Sequence, residues 1–367
     1  MISELVKDTK QFYRTLAISL ITFVFILTIY IVLSVPLPLG SDPYFHLEIA
    51  RLYASGNFTG AFNYIQTVNQ IPFYPPAYHL LLIPSTFLPN PLDGLRILEM
   101  FAMPLTFAFT AYLLWKHSGP KAAFITGLIL LGSWSFIDAA LQARPETIDL
   151  MFYPLMLLML LAVKKKSFAA LTIATIYNHG VMAVTNIWGW LPLLLKQKNR
   201  WLTTVLMIIA VSSPVLILTG LYFGGGWNMW ATTAPQENPQ EVLFWTNPSW
   251  IPFYAGITLI GFIFLATAIK YRIQKGAFKT ELEAYLVYGF IGNLVMLPMW
   301  ADRWLQYSTI PLACLAGLEL ARWHGKKLYG VLAVVGLGAW IYICFFLWNS
   351  ILGTWWQPGA FVTKVLP

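Results

Sequence analysis

Three short segments carry residue types that can do chemistry. The first is SDPYFHLEIARLY at 41–53. Asp42 stands just ahead of Pro43, where an N-cap belongs, so a helix should run from there to about Ser55 and stop at Gly56. Asp42 has two readings. It caps the helix, or it is a carboxylate base whose pKa is raised by burial at the mouth of a bundle. Along that helix Glu48 and Arg51 can pair at i, i+3, and Phe45, Ile49 and Leu52 form an apolar stripe suited to a membrane surface. The second segment is ARPETID at 143–149. It gathers Arg144, Glu146 and Asp149 where apolar helices meet water, as interfacial charges or as a site. The third is ADRWLQY at 301–307. Arg303 can hold a phosphate with its guanidinium fork, pair with Asp302, or anchor the interface beside Trp304.

Histidines 46, 79 and 179 fall on the same side of the chain's topology as these segments. With the nearby acids they could hold a divalent cation, but their spacing matches no ligand motif, and helix-cap and packing roles account for them better. The sequence names no cofactor. Cys314 and Cys344 lie in apolar stretches and make neither a disulfide framework nor a metal pattern.

The elements that must position these residues are membrane helices. Hydrophobic residues are 58% of the chain and charged residues 10%, with a mean hydropathy of +0.66. A soluble domain carries roughly a quarter of its residues charged. Apolar blocks here alternate with short charged loops, the pattern of an all-α polytopic transmembrane bundle rather than of a β-barrel. About eleven spans are expected, near 15–36, 96–115, 121–139, 147–163, 167–178, 181–195, 201–223, 251–269, 281–299, 305–321 and 328–348. The first runs too long for a signal-peptide core and is expected to stay as an anchor. The stretch 76–89 is apolar but only about 14 residues, bounded and interrupted by prolines, so it should lie at the interface. Residues 1–367 then form one membrane domain, with 37–95 a first outer loop and 224–250 a second.

Basic residues test this arrangement. With the N-terminus inside, eighteen of the 23 Lys and Arg fall on the cytoplasmic side. Only Arg51, Arg96, Arg144, Arg303 and Lys364 fall outside. Counting 76–89 as a span would turn Lys164–Lys166 outward. The net charge of +8 is therefore topology and not a nucleic-acid surface. Ten of the 15 acids fall outside or near the outer face. The rule for basic residues does not account for them; a site there does.

In order along the chain, five features resemble the C-type (GT-C) superfamily of membrane glycosyltransferases, which includes dolichyl-phosphate-mannose transferases and aminoarabinose transferases. An acid follows the first span within the D-x-Y-F-H pattern of Asp42, Tyr44, Phe45 and His46. YPPAYHLLL at 74–82 is similar to the juxtamembrane helix of that family. Arg96 opens the second span, ARPE at 143–146 sits in the next outer loop, and DRWLQYSTIPLACLAGLELAR at 302–322 resembles a late helix of the family.

The resemblance implies that 37–95 forms two juxtamembrane helices and 224–250 a lid. It implies a polyprenyl- or dolichyl-phosphate sugar as donor, and a lipid-linked glycan, protein or lipid as acceptor. Asp42 is then the general base, with Glu146 the next candidate for that catalytic role. Arg303, Arg144, Arg96, His46, His79, Tyr44 and His179 would serve substrate binding. The WWDYG motif of oligosaccharyltransferase is missing, since Trp355-Trp356 is followed by Gln357-Pro358. Transfer of a single sugar fits better than transfer of a whole glycan. The rival reading is a transporter or lipid flippase. It would favour internal repeats and charges at mid-depth, and the sequence has neither.

Overall fold

The computed structural model describes residues 9–34, 42–69, 74–133, 135–137, 144–196, 201–217, 256–296 and 301–352. Among them there are helices and no strand. The first, α1 (Thr9–Ser34), has 26 residues and reaches about 39 Å. It buries Ala17, Val24, Leu27 and Ile31 and exposes Ile18, Ile26 and Leu33. A helix that is apolar on every face but buried on one suits lipid on the other.

Three helices follow where two were expected. They are α2 (Asp42–Ala54), α3 (Phe58–Asn69) and α4 (Ala77–Leu82), the last running into a 3-10 turn at Ile83–Phe87. The chain leaves α2 through Gly56 at φ +74°, the left-handed stop expected there. The apolar stripe of α2 does not lie on the membrane. Phe45 and Ile49 pack with Ala61 and Ile65 of α3, because a second amphipathic helix offers them a drier surface. The Glu48–Arg51 pair forms as expected, with two hydrogen bonds of 2.7 and 2.8 Å.

The bundle continues with α5 (Leu92–Ser118), α6 (Pro120–Leu131), α7 (Pro145–Leu161), α8 (Lys165–Asn178), α9 (Val181–Lys196) and α10 (Leu202–Ile217). It closes with α11 (Ile260–Lys275), α12 (Glu281–Asn293), α13 (Ala301–Leu320) and α14 (Gly325–Leu352). Among the described residues, four stretches are long and apolar enough to cross a bilayer: Thr9–Leu33, Leu92–Ser118, Gly256–Lys275 and Gly325–Cys344. Others of the eleven expected spans are shorter helices. Pro120–Leu131 has 12 residues and covers only about 18 Å. Parts of the expected spans, at 35–36, 134, 138–139, 218–223, 251–255 and 297–299, fall outside the described residues, as does the 224–250 loop.

Helix α13 is the axis of this assembly. Its side chains from Trp304 to Leu318 are almost all buried, against α6, α11 and α12. Helices α9 and α12 cross closely. A Cβ on Gly189 would run into the Tyr288 carbonyl oxygen, and one on Gly292 into that of Thr185. Small residues let membrane helices approach this way. Polar contacts then lock the crossing. Thr185 Oγ1 donates to Asn293 Oδ1 at 2.7 Å, and Trp190 Nε1 donates to the Tyr285 carbonyl at 2.8 Å.

The two ends of the bundle differ in chemistry. At one end Lys121 donates to the Trp323 carbonyl at 2.6 Å, and Lys279 meets Glu319 at 2.9 Å, where Arg322 also pairs. Thr280 and Glu283 cap α12 reciprocally there, Thr280 accepting from the Glu283 N–H and Glu283 from the Lys279 N–H. The start of α1 joins this end, with Arg14 over Trp115. At the other end lie α2–α4, the start of α7, the α8–α9 turn and the start of α13.

Candidate functional site

Four separate stretches of chain build one polar cluster at that second end. His46 sits on the inner face of α2 and His79 on α4, 2% and 0% exposed. Their rings meet with His46 Nδ1 3.0 Å from His79 Nε2. Tyr74, just ahead of α4, lies 5.2 Å from the His46 ring and 5.3 Å from the His79 ring. Burial pushes both imidazoles toward the neutral form. His46 goes well below the ordinary histidine value, through desolvation and then through His79. His79 is lowered to about 3 by desolvation, opposed by a hydrogen bond to the Pro75 carbonyl.

The second stretch is the start of α7. Arg144 is extended at its N-cap and Pro145 opens the helix, as a missing N–H allows. Glu146 and Asp149 follow three residues apart, so they share a face. Both are buried, at 4% and 0%. The third stretch is the α8–α9 turn. Asn178 donates at 2.7 Å to both the Pro145 carbonyl and Asp149 Oδ1. This pins the turn to α7 and delivers His179 between the two acids. His179 Nε2 is 3.6 Å from Glu146 Oε1, and its Nδ1 is 3.8 Å from Asp149 Oδ2. The fourth is α13, whose Tyr307 hydroxyl is 3.2 Å from His179 Nδ1.

The two halves face each other. The Tyr74 and His179 rings are 6.1 Å apart, and His46 feels the charges of Glu146, Arg144 and His179. Among the described residues no three His, Cys, Asp or Glu side chains converge closely enough to hold a metal ion.

Of the residues that sequence reading selected, His46, His79, Arg144, Glu146 and His179 come together here. His46 and His79 pack among aromatic rings within this cluster, and His179 sits beside its two acids. Asp42 is the first residue of α2 and Arg303 lies in the first turn of α13; the side chains of both lie outside the described residues. Their backbone positions are telling all the same. Asp42 precedes His46, and Arg303 precedes Tyr307, each by four residues and thus one helical turn. Arg96 pairs with Asp93 at 3.6 Å at the start of α5. Tyr44 is 43% exposed, roughly 200° round α2 from His46. Tyr74, Asn178 and Tyr307 belong to the cluster and were not selected. They sit beside selected residues in YPPAYH, NHG and ADRWLQY, but neighbourhood in sequence gives no reason to pick them.

No protein-family model matches the chain, and no curated protein does. Solved structures do. ArnT from Cupriavidus metallidurans bound to undecaprenyl phosphate superimposes with a TM-score of 0.58 at 15% identity, covering 92% of this chain and 69% of that one. The same protein in its apo state gives 0.57, with the same identity and coverage. The chain therefore has an ArnT-like fold.

Proposed function

We propose that this protein is a membrane glycosyltransferase that moves a single sugar from a polyprenyl-phosphate donor to a lipid-linked glycan, protein or lipid acceptor at the extracytoplasmic face. One observation carries the reading. In an ArnT-like fold, buried carboxylates, histidines and tyrosines from four stretches of chain converge at the bundle end opposite the basic residues. The neighbour's undecaprenyl phosphate supports a polyprenyl phosphate as the lipid partner here. With about eleven crossings and the basic end in the cytoplasm, the cluster opens to the outer leaflet. The 37–95 loop supports it, and 224–250 serves as a lid.

The chemistry needs few groups. A base must take the proton of the acceptor hydroxyl. The phosphate leaves already ionised, so no second acid has to protonate it, unlike the paired carboxylates of a glycosidase. A cation must steady the departing charge. Asp42 is the base in this reading, with Glu146 the next candidate; Arg303 and Arg144 hold the phosphate. His46 and His79, buried and neutral, brace α2 against α4 and so fix where Asp42 stands.

The deciding experiment supplies the purified protein with a panel of polyprenyl-phosphate sugars and scores sugar release to water or to an acceptor. Release from at least one donor supports the reading. Binding of lipid phosphates without release from any of them overturns it in favour of a transporter or flippase.

A further inference from the structure

The cluster has two electrostatically different sides. Arg144 stands at the α7 cap, and the Arg303 position lies one turn ahead of Tyr307. The side built by Glu146 and Asp149 is a buried pair of carboxyl groups. A phosphate would be repelled there and would lose its hydration without a partner. A neutral group rich in hydroxyls suits it instead, because carboxylate oxygens accept from hydroxyls and aromatic faces cover the C–H faces of a sugar ring. The Tyr74 ring lies 6.1 Å from the His179 ring, and the Tyr307 hydroxyl meets His179 Nδ1.

His179 is the organiser of this side. Among the described residues, those facing it include Glu146 and Asp149 from α7, Tyr307 from α13 and Tyr74 ahead of α4, and His46 on α2 feels its charge and that of Arg144. Two protonation forms suit its surroundings. In the neutral form Nδ1 accepts the Tyr307 hydroxyl proton and Nε2–H points at Glu146. In the imidazolium form both N–H groups face carboxyl groups, Asp149 at 3.8 Å and Glu146 at 3.6 Å. In both, Nε2–H aims at the Glu146 carboxylate. The 3.6 Å separation is long for a hydrogen bond, as such contacts often are before substrate tightens them. Asn178, bonded to the Pro145 carbonyl and to Asp149, keeps the turn from swinging away.

We infer that Glu146 and His179 form the acceptor subsite, taking a saccharide hydroxyl, with Glu146 holding the acceptor and His179 a positioning residue that orients Glu146. This rests on the proposed transfer reaction. It assigns the acceptor class and divides the site into an arginine-bearing donor side and a carboxyl-bearing acceptor side.

The test uses the full-length protein in nanodiscs, with Glu146→Gln, His179→Gln and the double variant. Affinity for a long-chain polyprenyl phosphate should stay within about twofold of wild type. The ratio of transfer to an acceptor over release to water should fall by about tenfold or more in each single variant, and little further in the double, because the two act as one unit. An unchanged ratio overturns the inference. So does a loss of donor affinity that matches the loss of transfer, which would put both residues on the donor side. If wild type releases sugar from no donor, the transfer reading fails, and the subsite is still decided by binding. Saturation-transfer NMR with a panel of methyl glycosides should show contact in wild type and its loss in both single variants. Contact that persists in the variants, or no contact in wild type, overturns the subsite as well.

Discussion

His46 Nδ1 stands 3.0 Å from His79 Nε2 across the α2–α4 interface, inside a ring of tyrosines and closed to solvent. The pair holds together as two neutral imidazoles, one donating and one accepting. Adding protons to both places two cations in contact in a buried space.

A pH dependence follows. Histidine titrates near 6.5 in an unfolded chain, and His79 is lowered to about 3 here by burial. A group whose folded pKa is depressed binds more protons unfolded. Its stabilising contribution is therefore complete above about pH 6.5 and falls away between there and pH 3. At pH 5 the loss is about 2 kcal/mol for one such imidazole. Hydrogen exchange of the α2 and α4 amides, corrected for intrinsic rates, should show local opening rising roughly thirtyfold from pH 7 to pH 5. His79→Asn should flatten that slope. An opening equilibrium independent of pH would mean that the pair is not what braces α2.

Asp42→Asn separates the cap from the base. Asparagine caps about as well as aspartate, so folding should survive. An amide takes no proton, so transfer should fall by roughly a hundredfold or more, with donor binding kept. Near wild-type transfer would pass the role to Glu146. If Asp42→Asn and Asp42→Ala both misfold while the remaining folded protein works normally, Asp42 is a cap.

Arg303→Lys keeps the charge and loses the two-pronged geometry. Donor affinity should drop by about tenfold, and turnover with it. Unchanged affinity and rate in folded protein would make Arg303 an interface anchor.

The α9–α12 crossing gives a packing test with a sign. In an open helix Gly→Ala stabilises by roughly 0.5–1 kcal/mol. At Gly330 or Gly336 of α14 a Cβ meets nothing within 4 Å, so alanine there should be neutral or stabilising. At Gly189 or Gly292 the new Cβ meets a backbone carbonyl oxygen of the partner helix. Alanine there should lower stability by about 1–3 kcal/mol, read as a lower Tm of the purified protein. Equal effects at both pairs of sites would mean that the helices do not pack this closely.

The sequence by itself determined that the chain is a helical membrane protein, because hydropathy and charge are local sums that every stretch reports independently. It also placed the short helix of 77–82 outside the spans, the Glu48–Arg51 pair and the stop at Gly56, all set within a few residues of chain. It marked Glu146 and the histidines as candidates, because polar residues are scarce in such a chain. Only the tertiary structure decided that His46 meets His79, that Asn178 delivers His179 between Glu146 and Asp149, and that Tyr307 joins them from another helix. It likewise decided that the stripe of α2 is covered by α3 rather than by lipid. The polar contacts among them join residues 29 to 128 positions apart. No local pattern encodes which helix faces which. That choice is made by packing, above all where glycines let two backbones touch and where a buried polar group must find its partner.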